Sequence, residues 1–197
     1  HLSLRRQRQM CIRDRHNGII ENHQELRTTL LALGYEFESE TDTEVIAHLV
    51  HAKLEEAGSL SGAVKGAVKD LEGAYAIGVI HIKEPQVIVA ARKGSPLVLG
   101  MGNDENLIAS DQLAIADYAD KFIFLEEGDL AEITPSKATL WDSENKEVER
   151  PVVVEKALGE TIDKGEYRHF MLKEIFEQPK KIKDLLEGQL TESGVPQ

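Results

Sequence analysis

The chain of 197 residues has one cysteine, Cys11, and that scarcity excludes an intramolecular disulfide framework and a cysteine-rich zinc site. Positive charge is also short. Lys and Arg number 23 against 35 Asp and Glu, a formal net charge of −12, which argues against a nucleic-acid partner or an anionic membrane surface. No apolar run approaches the roughly 20 residues needed to cross a bilayer. The arginine-rich start has no apolar h-region, so neither membrane insertion nor secretion is expected. Internal repeats and low-complexity tracts are missing too. What is present is 41% hydrophobic and 29% charged residues, ordinary globular usage with enough apolar mass for one or two domains. The expectation is a globular cytoplasmic protein.

The first fifteen residues, HLSLRRQRQMCIRDR, differ from the rest. They hold five arginines against Asp14, a charge of +4, whereas residues 16–197 carry −16. They show neither strand alternation nor a helical stripe. Three readings stay open: a basic binding arm, a cloning remnant, or a mis-joined gene end. At the other end, the polar, glycine-containing stretch 155–166 reads as a linker. We therefore expect residues 1–15 to stand outside the domain, 16–154 to form it, and 155–197 to be a linker followed by a helix.

Residues 22–33 read as a helix, with Asn22 as N-cap, Glu25 closing a capping box, Leu26, Leu30 and Leu33 on one face, and Gly34 as stop. A second helix starts at Thr41, with Glu44 three residues on, buries Val45, Ile46, Leu49, Val50 and Leu54, and ends at Gly58. A third spans 61–71. From Ala74 the period changes to short Val- and Ile-rich runs broken by KEP, KG, GND, EGD and DSEN turns, which predict strands. The stretch QLAIADYA between two of them suits a short helix. Helices followed by an extensive, mainly antiparallel sheet make the fold class α+β. The wholly apolar AYAIGVIHI predicts a strand buried on both faces, as in a layered sandwich with helices outside. A last helix is expected from Tyr167 to Leu186, interrupted at Pro179, with an apolar face that finds little core in this chain.

Few residues carry chemistry by spacing alone. Asn17-Gly18 can aim a side-chain amide and a backbone amide at one developing negative oxygen, or can be a plain turn before a helix. Asp42, in the first turn of the second helix, either complements the helix dipole or holds a ligand's ammonium group. His48 and His51 lie three apart, but no third ligand is evident, so no metal is expected. Cys11 reads as incidental, and His16, His23, His81 and His169 take no role from their positions.

The run HNGIIENHQELRTTLLALGYEFESETDTEVIAHLV resembles the glutaminase domain of the glutamine–fructose-6-phosphate aminotransferases, the glucosamine-6-phosphate synthases. LEGAYAIGVI, AARKGSPLVLG, ENLIASDQLAI, FIFLEEGDLAEI and DKGEYRHFMLKEIFEQP follow in the same order, so the likeness spans about residues 16–190. It implies the four-layer α/β/β/α sandwich of N-terminal-nucleophile hydrolases, here incomplete at its N-terminus. It further implies Asn17 and Gly18 as the oxyanion hole, Asp42 on the α-ammonium of glutamine, and no cofactor. Implied partners are glutamine and, through sugar-isomerase domains that would follow, fructose 6-phosphate, in a homo-oligomer at full length. The family's nucleophile is a cysteine at the mature N-terminus, and ten residues precede Cys11, so the resemblance implies a fragment inactive by itself. A non-catalytic binding module with a remnant glutaminase fold, or another class II amidotransferase, stands as the alternative.

Overall fold

The computed structural model describes residues 11–154 and 166–189. The chain divides into two compact units, His1–Ala157 and Leu158–Gln197. Residues 1–10 of the basic segment and 155–165 of the expected linker lie outside the described residues.

The first unit opens with β1 (Ile12–Ile20), then α1 (His23–Ala32), α2 (Asp42–Ala57) and α3 (Leu60–Ala67). The strands follow: β2 (Gly73–His81), β3 (Glu84–Lys93), β4 (Val98–Met101), β5 (Asn106–Ala109), β6 (Lys121–Phe124), β7 (Leu130–Ile133), β8 (Ala138–Trp141), β9 (Glu147–Val148) and β10 (Val152–Val154). They form a six-stranded antiparallel sheet in the order β1-β2-β3-β7-β8-β9 and a four-stranded one in the order β10-β6-β4-β5.

Three apolar layers hold these parts together. Leu30, Val45, Ile46, Val50, Ala63 and Val64 from the helices pack on Tyr75, Ile77, Val79, Val89 and Leu130 of the larger sheet. Ala76, Ala90, Ala131 and Ile133 turn the other way, against Leu99, Ile123 and Leu125 of the smaller one. β2 is thus buried on both faces, which is why AYAIGVIHI has no polar alternation. Gly78 belongs to this contact: a Cβ there would stand 2.4 Å from Ile108 Cδ1, so a side chain would hold the sheets apart. The smaller sheet is covered outside by Ile115 and Ala119, packed on Val98 and Phe122.

Several local expectations change. Residues Ile12–Arg15, assigned to a segment outside the domain, are the first half of β1; Ile12 pairs with His81 and is buried. Their side chains alternate once the strand has a partner, and a single long-range pairing decides this. Asn22 is the N-cap residue of α1, as expected, but its side chain makes no capping bond. Its side chain bridges instead to the chain before β2, donating to the Asp70 carbonyl at 2.8 Å and accepting from the Glu72 amide at 3.1 Å. Thr41 does cap α2, accepting from the Glu44 amide, while the Glu44 carboxylate accepts from the Glu38 and Ser39 amides rather than closing a box. The third helix is shorter than 61–71, because Ser59 caps it and Gly73 already belongs to β2. QLAIADYA forms only a 3₁₀ turn, Gln112–Ala114. EVERPVVV is two strands, one in each sheet: Pro151 lacks an amide for a ladder, and Arg150 ties the crossing to buried Asp129 by bonds of 2.9 and 2.7 Å.

The second unit contains α4 (Phe170–Gln189), which starts three residues after the expected Tyr167, ends three beyond the expected Leu186, and continues through Pro179 where an interruption was expected. Met171, Ile175, Phe176 and Ile182 are exposed on it. No helix among the described residues is long and apolar enough to cross a membrane.

Candidate active site

β1 places the candidate residues because its side chains alternate between two surroundings. Ile12, His16 and Ile20 point toward the helices. Arg15 and Asn17 point to the other side, where a cleft of about 490 Å³ opens between the sheets, lined also by His16, Gly78, Leu97 and Ser110. The Asn17 side-chain amide has no hydrogen-bond partner among the described residues, so both its donors are available to a ligand.

Gly18 follows directly, paired with Tyr75. Its φ of +137° is open only to glycine, and a Cβ would meet the Ala74 carbonyl oxygen at 2.0 Å. The Asn-Gly step is therefore a strand that must pass within touching distance of its neighbour, and the plain turn is excluded. Gly18 itself does not line the cleft.

Asp42 meets β1 from the helix side. Its Oδ2 accepts the Ile20 amide at 2.9 Å and its Oδ1 lies 3.6 Å from His16 Nδ1. Burial lowers the His16 pKa and the Asp42 charge only partly opposes this, so the imidazole is neutral at pH 7. Asp42 is then a fixed carboxylate with no cation beside it among the described residues. It can accept an ammonium group. His16 also reaches Thr43 Oγ1 at 3.3 Å, which sets the start of α2 against the strand.

Two residues that sequence reasoning passed over belong to this cluster. His16 positions Asp42, and Asp14, two residues earlier on the same face, has its pKa pushed up to about 6, by burial first and by the Asp42 charge as well, against its own backbone amide. The signal was a period of two in Asp14-Arg15-His16-Asn17, masked by the arginines around it. His48 and His51 are placed in packing: His48 is buried against the Tyr35 and Phe37 rings, and His51 Nδ1 lies 2.7 Å from the Tyr35 hydroxyl. Among the described residues no three metal-binding side chains converge. Cys11 precedes β1, where its carbonyl accepts the Ile82 amide at 2.9 Å. Six residue steps along the strand separate it from Asn17, about 20 Å.

Two antiparallel sheets face to face, with helices on the outer side of the larger one, make a layered sandwich, and the Asn17 side chain opens between the sheets. The model of the glutamine amidotransferase domain matches residues 4–117, and the chain belongs to that family. It is 56% identical over 180 residues to the glutamine–fructose-6-phosphate aminotransferase (isomerizing) of Pseudomonas aeruginosa, 91% of this chain and 30% of that one. To the Idiomarina loihiensis protein of the same name it is 53% identical over the same shares. The chain thus spans about 30% of the length of these curated relatives. Among solved structures, a glutamine phosphoribosylpyrophosphate amidotransferase from B. subtilis, complexed with ADP and GMP, superposes with a TM-score of 0.57 at 26% identity, covering 67% of this chain and 29% of that one. The fold is the N-terminal-nucleophile hydrolase sandwich of the class II glutamine amidotransferases.

Proposed function

We propose that the chain is the glutamine-recognising part of an aminotransferase that takes the amide nitrogen of glutamine and delivers it as ammonia to fructose 6-phosphate. The uncompensated Asp42 carboxylate carries this reading, seated at β1 three residues from an Asn17 amide that opens into the cleft. Asp42 accepts from the α-ammonium of glutamine. The Asn17 side-chain N–H, in the cleft, and the Gly18 backbone N–H, on the open edge of β1 beside it, donate to the oxygen that becomes negative when the side-chain amide is attacked. Arg15, on the cleft wall, adds positive potential. The acceptor sugar follows from the relatives' names and from the 56% identity to one of them.

The attacking thiol is not Cys11, which sits about 20 Å along β1 from Asn17. The nucleophile comes from outside the described residues, and this chain alone releases no ammonia. The test is calorimetric titration of glutamine into the purified chain, alongside an ammonia-release assay. Millimolar binding, weakened tenfold or more in Asp42→Asn, is the expected result, since a charge-assisted contact contributes about 1.5–3 kcal/mol. Equal binding by the variant overturns the assignment of Asp42. Release on the order of 1 per second by the chain alone overturns the assignment of the nucleophile.

A further inference from the structure

A second recess, sharing no residue with the cleft, lies on the helix side of the larger sheet. It encloses about 370 Å³ between the end of α3, β2, the end of β3 and the two turns that precede β7 and β9. In a protein of net charge −12, three lysines line it: Lys65, Lys69 and Lys93. Lys69 and Lys93 are exposed and have no ion-pair partner among the described residues. The Lys65 ammonium lies 3.4 Å from the centroid of the Trp141 ring, which fixes its position.

Two carboxylates share the recess, Glu127 engaged through both oxygens and Asp142 through Oδ1. Glu127 accepts the Gly94 amide with both oxygens, at 2.9 and 3.0 Å, and has Arg92 at 3.5 Å. Asp142 accepts the Glu144 and Lys146 amides at 2.8 and 3.0 Å. Glu132 and Glu147 act on Lys65 from outside the lining. Ser143 and Asn145 line the recess as neutral polar groups, and Lys69 and Lys93 are its cationic groups without an ion-pair partner among the described residues.

The residue that points to a ligand is Tyr75. It is only 4% exposed, it lines the recess, and its hydroxyl has no hydrogen-bond partner among the described residues. Burial and the Glu127 charge push its pKa up to about 12, so it stays a phenol and a donor at any physiological pH. A buried Tyr normally finds a partner for its O–H. The Tyr75 oxygen is not among the side-chain atoms shut off from solvent, and the recess is the open space that the residue lines.

We propose that this recess binds a small phosphate ester. The Tyr75 hydroxyl and the Lys69 and Lys93 ammonium groups donate to the phosphate oxygens, Lys65 supplies fixed positive charge, and Val68 and Leu130 contact the carbon body. A phosphate offers enough terminal oxygens to take several donors at once. The volume exceeds what bare phosphate fills and is at the lower end for small-molecule sites.

The experiment is calorimetric titration of the chain with glycerol 2-phosphate, inorganic phosphate and glycerol in low-salt buffer. We expect one saturable site, with the ester binding about threefold or more tighter than inorganic phosphate and glycerol not binding. The Lys69→Gln/Lys93→Gln double variant should weaken the ester about tenfold or more, because two charge-assisted bonds are lost. Both positions are exposed, so this variant keeps the fold. Tyr75→Phe should weaken it about threefold or more. No saturable binding up to about 50 mM ester, where even a site of millimolar affinity would be filled, overturns the proposal. So does an affinity unchanged by the double variant, or glycerol binding as well as its phosphate.

Discussion

Asp14 offers a direct way to test the architecture of β1. Its carboxyl sits on the helix-facing side of the strand with Oδ2 shut off from solvent and without a hydrogen-bond partner. Its pKa rises from 3.8 to about 6 on folding. A carboxyl that holds its proton more tightly in the folded state makes stability fall as pH rises through the window between the two values. The shift of about 2 pKa units is worth about 3 kcal/mol once both states are ionised. At pH 4.5 the linkage relation leaves about 1 kcal/mol of that penalty, and at pH 7.5 nearly all of it. Asp14→Asn removes the ionisation and keeps the shape. Urea unfolding of parent and variant at both pH values should show the variant gaining about 2 kcal/mol more at pH 7.5 than at pH 4.5. That difference cancels any pH-independent effect of the amide, such as its own missing partner. A gain that is the same at both pH values, to within about 0.5 kcal/mol, would mean that Asp14 is solvated and that β1 does not pack on α2 as described.

Other substitutions probe the remaining joints. Gly18→Ala places a Cβ 2.0 Å from the Ala74 carbonyl oxygen at a φ of +137°. It should cost about 3 kcal/mol or more, seen as a melting temperature lower by about 6 °C or more. Arg150→Ala strands the fully buried Asp129 carboxylate and should destabilise by about 3 kcal/mol in urea unfolding. Gly78→Val drives a side chain into Ile108 and should cost about 2 kcal/mol, with bound hydrophobic dye reporting separation of the sheets. Thr41→Ala removes the α2 cap and should cost about 1 kcal/mol, small enough that circular dichroism at 25 °C stays unchanged.

What could be read along the chain was local. The Leu30, Val45, Ile46, Val50 and Val64 spacings placed three helices, and the Val- and Ile-rich runs after Ala74 placed most strands, because amphipathic period and turn chemistry act within a few residues. The shared motif order carried the fold class and the family, as the 56% identity to one relative reflects. Asp42 was legible as a helix-start carboxylate, and Asn17-Gly18 as a step whose two readings, turn or oxyanion hole, spacing left open.

Partner choice was not legible. Residues 12–15 read as lying outside the domain until His81, Ile80, Val79 and Gly78 supplied a ladder for them. Asn22 had the spacing of a cap, but the Asp70 carbonyl and Glu72 amide, some fifty residues away, took both ends of its side chain. The Pro151 segment crossed between sheets because Asp129 lies buried between them, ready to hold Arg150. The sequence alone determined where most helices and strands fall, since these follow from local propensity and turn chemistry. Only the tertiary structure decided that His16 stays neutral and leaves the Asp42 charge open, and that the Tyr75 hydroxyl faces a lysine-lined recess. Both depend on desolvation and on distances across elements, which no spacing along the chain encodes.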